Sequence, residues 1–482
     1  MRPRAHATLF AFAVFASACD RCSSTTTSGS PTSADGSVSD APSDAGGNEP
    51  ASQTWPPPYL HSTWAAVLGT EGAQYGCSAV RAAEGTTFAT FFNQDGVFAA
   101  GKQAFGGHGL RTYATGYVAA FDQAGDATWA YSLPANGVSV RTTSLAADAK
   151  GDLVLLTEWN ALICTPPCEV LGKDVAASSS GLVLQKLEPR RRARTPVWTR
   201  TITTLGTFGG DSLIADAHDN LYVYAWFDGD LRSDDLDLTA HADRMSRHSL
   251  LFEITRGGKL LWSRHAPLAH EAVTPDHHLA LDKDGHLWTV PSLGPVGSVL
   301  SRIDAQGLDD LSISPHTLGD GGAPKADGDG IHARLVTAFP DGNIAILGVL
   351  QNVSVELGGA PLRADGKRRL FIASFAPAGV LRFARALDAV GDVDFEQMAG
   401  FDDDTLVAIG RSADYGATLA VFPRAGAPVV FRHPLRELQL GGVTRTGPRE
   451  ILVTGTKQVG ASRDYRLFVE RLTLDTLDAL RK

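Results

Sequence analysis

The feature that most constrains the fold is a turn-and-strand signature that recurs seven times between residues 55 and 482. Each copy places an acidic or glycine-containing turn before an apolar segment, as in Asp282-Lys283-Asp284-Gly285-His286-Leu287. The residues that open these segments, here called anchor residues, are Thr87, Leu153, Leu221, Leu287, Ile344, Leu406 and Ile451. Asp, Asn and Gly favour tight turns, whereas the β-branched and aromatic residues that follow favour strands. The signature therefore predicts a series of β-hairpins.

A second signature places a glycine four or five residues before an aromatic residue or a leucine. It occurs at Gly125…Trp129, Gly258…Trp262, Gly307…Leu311, Gly379…Phe383 and Gly426…Phe431. Combined with the first signature, it predicts four short strands in each unit. In the third unit these strands are expected at residues 212–215, 221–226, 249–254 and 261–264. No window keeps an apolar period of 3.6 residues, so long helices are not expected.

Seven such units predict an all-β fold. Residues 55–482 give about 61 residues per unit, which suits one four-stranded blade, although units four and six are short. The seventh unit ends on a strand at 466–471, and residues 63–68, including Trp64, form an orphan strand ahead of the first unit. We predict a seven-bladed β-propeller of four-stranded antiparallel blades, closed by pairing of the N- and C-terminal segments. In the alternatives, Trp64 only packs under the first blade, or the ring has eight blades.

The units resemble known propeller repeats. Leu357-Gly358-Gly359-Ala360-Pro361-Leu362, followed by a strand at 370–375, is similar to the repeats of secreted bacterial lipoproteins of the myxobacterial type. This resemblance covers nearly all of residues 60–475 and implies a shape and a location, not a reaction. Asp122…Gly125…Trp129 also resembles the repeat of quinoprotein propellers and outer-membrane assembly lipoproteins, in which the Trp packs between neighbouring blades.

The N-terminal segment predicts export. Arg2 and Arg4 precede an apolar run at residues 9–18 that is too short to span a membrane. Ala16-Ser17-Ala18-Cys19 resembles a bacterial lipobox, although Ala16 stands where Leu is usual. We predict a signal peptide at 1–18 and lipidation of Cys19. In the alternative, Ala16-Ser17-Ala18 is an ordinary signal-peptidase site and the protein is secreted without lipid.

Residues 19–54 are predicted to be a disordered, lipid-anchored tether ahead of the propeller at 55–482. Beyond Cys19 this stretch is rich in Ser, Thr, Gly and Pro, with Val38 as its one branched aliphatic residue and no aromatic residue. Such a segment cannot bury enough apolar surface to offset the entropy lost on ordering. We expect an outer-membrane or cell-surface location, with a periplasmic or secreted protein as the alternative.

The net charge limits the partners. The chain has 43 basic and 53 acidic residues, a formal charge of −10, which argues against nucleic-acid binding. The expected partners are a membrane, through the N-terminal lipid, and an unidentified protein or polysaccharide, with the protein itself a monomer. The basic run Arg190-Arg191-Arg192-Ala193-Arg194 could meet an anionic lipid or polysaccharide, or it could be a solvated hairpin tip.

The five cysteines suit an oxidising compartment. With Cys19 lipidated, the spacing of Cys164 and Cys168 favours a local disulfide, and Cys22 with Cys77 would be the remaining pair. A redox-active Cys164–Cys168 pair is the alternative.

Acidic and histidine clusters are the candidate metal ligands, and no other cofactor is expected. Asp228, Asp230 and Asp234 are clustered carboxylates of the kind that bind calcium; solvated turn acids are the alternative interpretation. Another loop-rich region supplies five histidines that could meet around a metal or remain scattered: His265, His270, His277, His278 and His286.

Catalytic residues cannot be assigned from motifs. The chain has no Gly-x-Ser-x-Gly elbow, phosphate loop or His-Glu-x-x-His sequence. We predict a cell-envelope lipoprotein whose propeller binds or scaffolds an unidentified ligand. The alternatives are an extracellular lyase or hydrolase acting on polysaccharide in the channel, and a quinoprotein-like oxidoreductase.

Overall fold

The computed structural model describes residues 60–68, 74–82, 85–93, 98–100, 103–105, 115–161, 164, 168–191, 195–233, 235–242, 247–267, 279–290, 299–317, 330–364, 368–387, 393–401, 404–412, 416–425, 427–432, 438–458 and 465–474. The predicted signal peptide and tether, with Cys19 and Cys22, lie outside these residues. The described residues form strands, one 3-10 turn at Pro189–Arg191 and connecting loops. No helix among them is long and apolar enough to cross a membrane.

The first half of the chain forms three blades, preceded by β1 (Leu60–Leu68). Blade 1 contains β2 (Gln74–Arg81), β3 (Thr87–Asn93), β4 (Phe98–Ala100), β5 (Gln103–Phe105), β6 (Thr115–Phe121) and β7 (Ala127–Ser132), followed by β8 (Ala135–Asn136). Blade 2 contains β9 (Ser139–Ala147), β10 (Leu153–Asn160), β11 (Glu169–Val170), β12 (Lys173–Asp174), β13 (Ser180–Leu187) and β14 (Trp198–Thr204). Blade 3 contains β15 (Phe208–Ala215), β16 (Leu221–Phe227), β17 (Gly229–Ser233), β18 (Leu238–Ala242), β19 (His248–Ile254) and β20 (Leu260–Pro267).

The second half forms four more blades. Blade 4 contains β21 (Leu279–Leu281), β22 (Leu287–Thr289), β23 (Leu300–Ile303) and β24 (Asp309–Ile313), followed by β25 (His316–Thr317). Blade 5 contains β26 (Gly330–Ala338), β27 (Ile344–Gln351), β28 (Val355–Leu357), β29 (Ala360–Leu362), β30 (Arg368–Phe375) and β31 (Leu381–Leu387). Blade 6 contains β32 (Asp394–Gly400), β33 (Leu406–Ser412), β34 (Gly416–Phe422) and β35 (Val429–Arg432). Blade 7 contains β36 (Leu438–Gly447), β37 (Glu450–Gln458) and β38 (Tyr465–Leu474).

The blades are arranged as a closed ring. The main strands of each blade pair antiparallel in chain order, as in β21-β22-β23-β24 of blade 4. The first strands contact one another around a complete circle, from β2 through β9, β15, β21, β26, β32 and β36 back to β2. These seven inner strands surround the central channel. The predicted seven-bladed β-propeller of four-stranded antiparallel blades is confirmed.

The ring is closed by its two ends. Strand β1 is the fourth strand of blade 7 and pairs antiparallel with β38 over Leu60↔Leu474 to Leu68↔Leu467. Leu60 is buried in one cluster with Leu472 and Leu474. The predicted pairing of the N- and C-terminal segments is therefore confirmed, with an orphan strand three residues longer at its start than the sequence indicated.

The apolar core lies between blades. In one cluster, Leu156 and Leu184 of blade 2 meet Leu213 and Phe252 of blade 3, and all four are buried. The second sequence signature contributes to this packing. Gly307 has φ +80°, and a Cβ built on it would lie 2.5 Å from Cε3 of Trp262, so only glycine lets the indole of blade 3 rest on the turn of blade 4.

Arginines fasten neighbouring blades through backbone carbonyls. Arg200 Nε donates to Gly258 O at 2.7 Å, and Arg264 Nη1 donates to Gly307 O at 3.0 Å. Three further junctions use the same kind of bond: Arg302 to Pro377 O, Arg385 to Pro423 O and Arg81 to Thr446 O. Arg200 and Arg264 follow Trp198 and Trp262 by two residues. The same strand therefore supplies both the indole that packs on the next blade's turn and the arginine that donates a hydrogen bond to it.

The recurring acidic turns are explained by backbone hydrogen bonds. Asp148 Oδ1 accepts from the backbone N–H groups of Lys150 and Asp152, both at 2.9 Å. Four other turns repeat this pattern with the first carboxylate: Asp122, Asp216, Asp282 and Asp304. These acids therefore cap tight turns, as Asx motifs do.

The propeller has two different faces. Connections from the second to the third strand of a blade carry hairpins β4–β5, β11–β12, β17–β18 and β28–β29, and we call their side the hairpin face. Three of these hairpins pair with the preceding blade's outer segment: β11 with β8, β17 with β14, and β28 with β25. The acidic turns lie on the opposite side, the turn face. Among the described residues, units four and six, the two short units, include no such hairpin.

Glu253 supplies a pH test of the junction between blades 3 and 4. Trp262 Nε1 donates to Glu253 Oε2 at 2.6 Å, and burial raises the pKa of this carboxyl despite that hydrogen bond. A raised pKa in the folded state means that stability falls as pH rises above the carboxyl's usual value, because the unfolded chain ionises first. Glu253→Gln should raise the melting temperature at pH 7 by about 1–2 °C and have no effect near pH 4.

Differential scanning calorimetry at both pH values checks this, with Glu356→Gln on hairpin β28–β29 as the control. A destabilised Glu253→Gln variant at pH 7 would contradict the account.

Candidate functional site at the channel mouth

The inner strands carry a repeated irregularity. In six of the seven, the pairing with the second strand skips one residue, which forms a β-bulge at Cys77, Thr143, Asp211, Arg334, Glu396 and Gly441. Each of these residues stands ten positions before the anchor residue of its unit. In blade 4 the same offset falls on His277, which lies outside the described residues. Bulges re-aim side chains and are common beside functional sites.

The bulges lie toward the hairpin face. Each inner strand starts at that face and ends at the turn face, where the acidic turn joins it to the second strand. Charged side chains gather at the starting end, and we call this group the channel mouth. Its described members are Arg141, Glu158, Arg334, Arg368, Asp394, Glu396 and Arg411.

Two arginines of blade 5 converge on one acid of blade 6. Arg334 Nη1 lies 2.6 Å from Asp394 Oδ1, and Arg368 Nη2 lies 2.8 Å from the same oxygen. Asp394 is 64% exposed, so this group faces solvent. Arg334 occupies the bulge, which brings its guanidinium across the blade junction. Among the described residues, the result is an accessible cluster of two guanidinium groups and one carboxylate.

The other mouth charges are paired and partly buried. Arg411 Nε lies 2.7 Å from Glu396 Oε1, and Arg141 Nε lies 2.9 Å from Glu158 Oε1. Glu158 Oε2 also accepts from the backbone N–H of Gly210 at 3.4 Å, which links blades 2 and 3. Solvent screens partly buried pairs less than exposed ones, so each of these arginines is held to its glutamate more strongly than in a fully exposed pair.

The sequence-predicted calcium residues have protein partners. Asp228 Oδ1 accepts from the backbone N–H of Thr207 at 2.6 Å, and Oδ2 accepts from its hydroxyl. Asp230 pairs with His241, and Asp234 lies outside the described residues. Calcium binding by these acids stays a prediction.

Of the five histidines proposed as metal ligands, His265 and His286 lie among the described residues. The ring of His265 stacks on His248 with centroids 5.8 Å apart, while His270, His277 and His278 lie outside the described residues. Within the described part of the chain, the one cluster with metal-ligand spacing is Asp282, Asp284 and His286. Asp282 Oδ1 caps the turn and Oδ2 accepts from Trp288 Nε1 at 3.0 Å, so this cluster already serves the fold.

Of the four cysteines predicted to form disulfides, Cys164 and Cys168 are the two whose side chains are described. Cys164 and Cys168 are joined by a disulfide with their Cα atoms 6.1 Å apart. Cys168 is buried beside Trp159 and Val170. The disulfide therefore lies in the connection from β10 to β13 of blade 2, the connection that also carries hairpin β11–β12. Cys77 forms the bulge of β2, and its side chain is outside the description, so the Cys22–Cys77 pair stays a prediction.

Sequence reasoning missed the channel mouth. Its charges come from separate blades and form no local motif. The six described bulges share an offset of ten residues from their anchor residues, but the residues at that position are of six different types, so no sequence signal marks them.

Comparisons with known proteins concern the fold alone. An α-L-arabinanase from Penicillium chrysogenum is 10% identical, with a TM-score of 0.42 over 86% of this chain and 99% of that one. An α-L-arabinofuranosidase from Fusarium graminearum is 8% identical, with a TM-score of 0.40 over 88% and 100%. An intramolecular trans-sialidase from Ruminococcus gnavus is 11% identical, with a TM-score of 0.32 over 84% and 96%. No protein-family model matches the chain, and no curated protein matches it.

Proposed function

We propose that this protein is a cell-envelope lipoprotein whose propeller binds an acidic protein or polysaccharide at the channel mouth. The observation that carries the proposal is the convergence of Arg334 and Arg368 on the exposed Asp394. Guanidinium groups suit this task because their planar donors match carboxylate, sulfate and phosphate groups.

Fixed, paired charges favour recognition. Glu158 and Glu396 hold Arg141 and Arg411 in place, so a ligand meets a defined pattern of both signs. Such patterns contribute specificity and fast association more than affinity. The mouth is also bordered by the hairpins, which widen the surface that a macromolecular ligand could contact.

The direction of the chain suits an anchor at Cys19. Strand β1 begins at Leu60, which pairs with Leu474 where β38 reaches the turn face. A lipid-anchored tether would therefore join the propeller on the turn face and leave the channel mouth directed away from its attachment.

The anchor is tested by Cys19→Ala. Without the thiol no lipid can be attached, so we expect the variant to leave the membrane fraction and to lose incorporation of a labelled fatty acid. Cell fractionation and metabolic labelling measure this, and Cys77→Ala is the control. Unchanged membrane partition of the Cys19 variant would contradict the lipoprotein proposal.

The binding site is tested by the double variant Arg334→Ala/Arg368→Ala. We expect the full-length protein to bind acidic members of glycan and peptide arrays, and the double variant to bind them at least about tenfold more weakly. Its melting temperature should stay within about 1 °C of the parent, because exposed ion pairs add little stability.

Lys283→Ala is the matched control, since Lys283 is an exposed base on the turn face. Equal binding by the parent and the double variant would overturn the assignment of the mouth as the binding site.

A further inference from the structure

A cavity lies on the turn face, between blades 2 and 3. Its volume is about 650 Å³, within the ~300–1,000 Å³ usual for small-molecule sites. The β9–β10 turn contributes Lys150 and Asp152, the segment between β13 and β14 contributes Glu188 and Val197, and the β15–β16 turn contributes Asn220. Because inner strands begin at the hairpin face, this cavity is separate from the channel mouth.

One wall is apolar and held rigidly. Trp198 Nε1 donates to the carbonyl of Arg256 at 3.0 Å. A Cβ built on Gly258 would lie 3.0 Å from Cδ2 of the indole, so the ring already rests on the blade 3 turn. Val197, beside it, leaves 54% of its surface exposed although it is apolar. The fold therefore presents an ordered aromatic and aliphatic surface to the cavity.

The base of the cavity is polar. Lys186 is only 6% exposed, and its Nζ lies 2.6 Å from Asp148 Oδ2 and 3.4 Å from Asp152 Oδ2. This ion pair fixes Asp152 where it borders the cavity. Arg256, also on the lining, lies 3.6 Å from Asp219. Lys186 and Arg256 are each paired with acids, and the other charged residues of the lining are of both signs: Lys150, Arg190 and Glu188.

The wall and base together define a class of ligand. Lys150 supplies a donor, Asp152 and Glu188 supply acceptors, and the amide of Asn220 supplies both types of group. A sugar ring has an apolar C–H face that suits an indole, and hydroxyl groups that need donors and acceptors at its edge. We propose that this cavity binds a neutral saccharide of one or two rings.

Isothermal titration of the full-length protein tests the proposal with cellobiose, N,N′-diacetylchitobiose and digalacturonate as probes. We expect at least one neutral disaccharide to bind with a dissociation constant in the millimolar range or below. Failure of both neutral probes, or binding of digalacturonate alone, would overturn the proposal.

Variants then locate the site. Trp198→Ala should weaken binding at least about tenfold, and Lys150→Ala, which removes a solvent-exposed side chain, by about threefold. Trp262→Ala is the matched control for the first, because Trp262 packs in the same way at the next junction but is absent from the cavity lining. Lys283→Ala is the control for the second.

The two tryptophan variants should lose similar thermal stability, and only Trp198→Ala should lose affinity. Equal losses of affinity in both would assign the effect to packing and overturn the site. The Lys150 comparison decides the question even if neither tryptophan variant folds, since an unchanged affinity for Lys150→Ala would likewise overturn it. The Arg334→Ala/Arg368→Ala protein should bind the disaccharide normally, which separates this cavity from the channel mouth.

Discussion

Contacts between one blade and the turn of the next hold the ring together. A blade is a small sheet that cannot bury both of its faces alone, so its stability depends on stacking against neighbours. Here Trp262 rests on Gly307 while Arg264 donates to the carbonyl of the same glycine. Arg200 makes the equivalent bond one junction earlier, to Gly258. Apolar packing and a charge-assisted hydrogen bond therefore act at the same turn, and they keep neighbouring inner strands in contact.

Closure of the ring meets a second requirement, which is that no sheet edge is left unpaired. Strand β1 completes blade 7, so the first and last described strands stabilise one sheet. The hairpins extend this principle outside the ring, since β17 of blade 3 pairs with the outer strand β14 of blade 2. Pairing of this kind covers edges that would otherwise be open to other chains. It also builds up the face at which the channel mouth opens.

Much of the fold could be predicted because each unit repeats local chemistry. Asp148 and Asp282 precede strands because their carboxylates cap turns, and Trp64 lies in an orphan strand because blade 7 lacks its fourth. The site was harder to predict, since Arg334 and Asp394 belong to different blades and meet only after closure. The sequence pattern of Asp230 is that of a turn acid or calcium ligand, but Asp230 lies in β17, which pairs with β18 of its own hairpin and also with β14 of blade 2. Pairing between units leaves no trace in local sequence pattern.

The central claim is that ligand recognition occurs where the inner strands begin. Hydrogen–deuterium exchange of the full-length protein, with and without the acidic ligand that it selects on the arrays, measures this directly. The account predicts slower exchange on ligand addition at the starts of β26 and β32, around Arg334 and Glu396, with the acidic turns unchanged. Protection confined to the acidic turns, with these bulges unaffected, would contradict it.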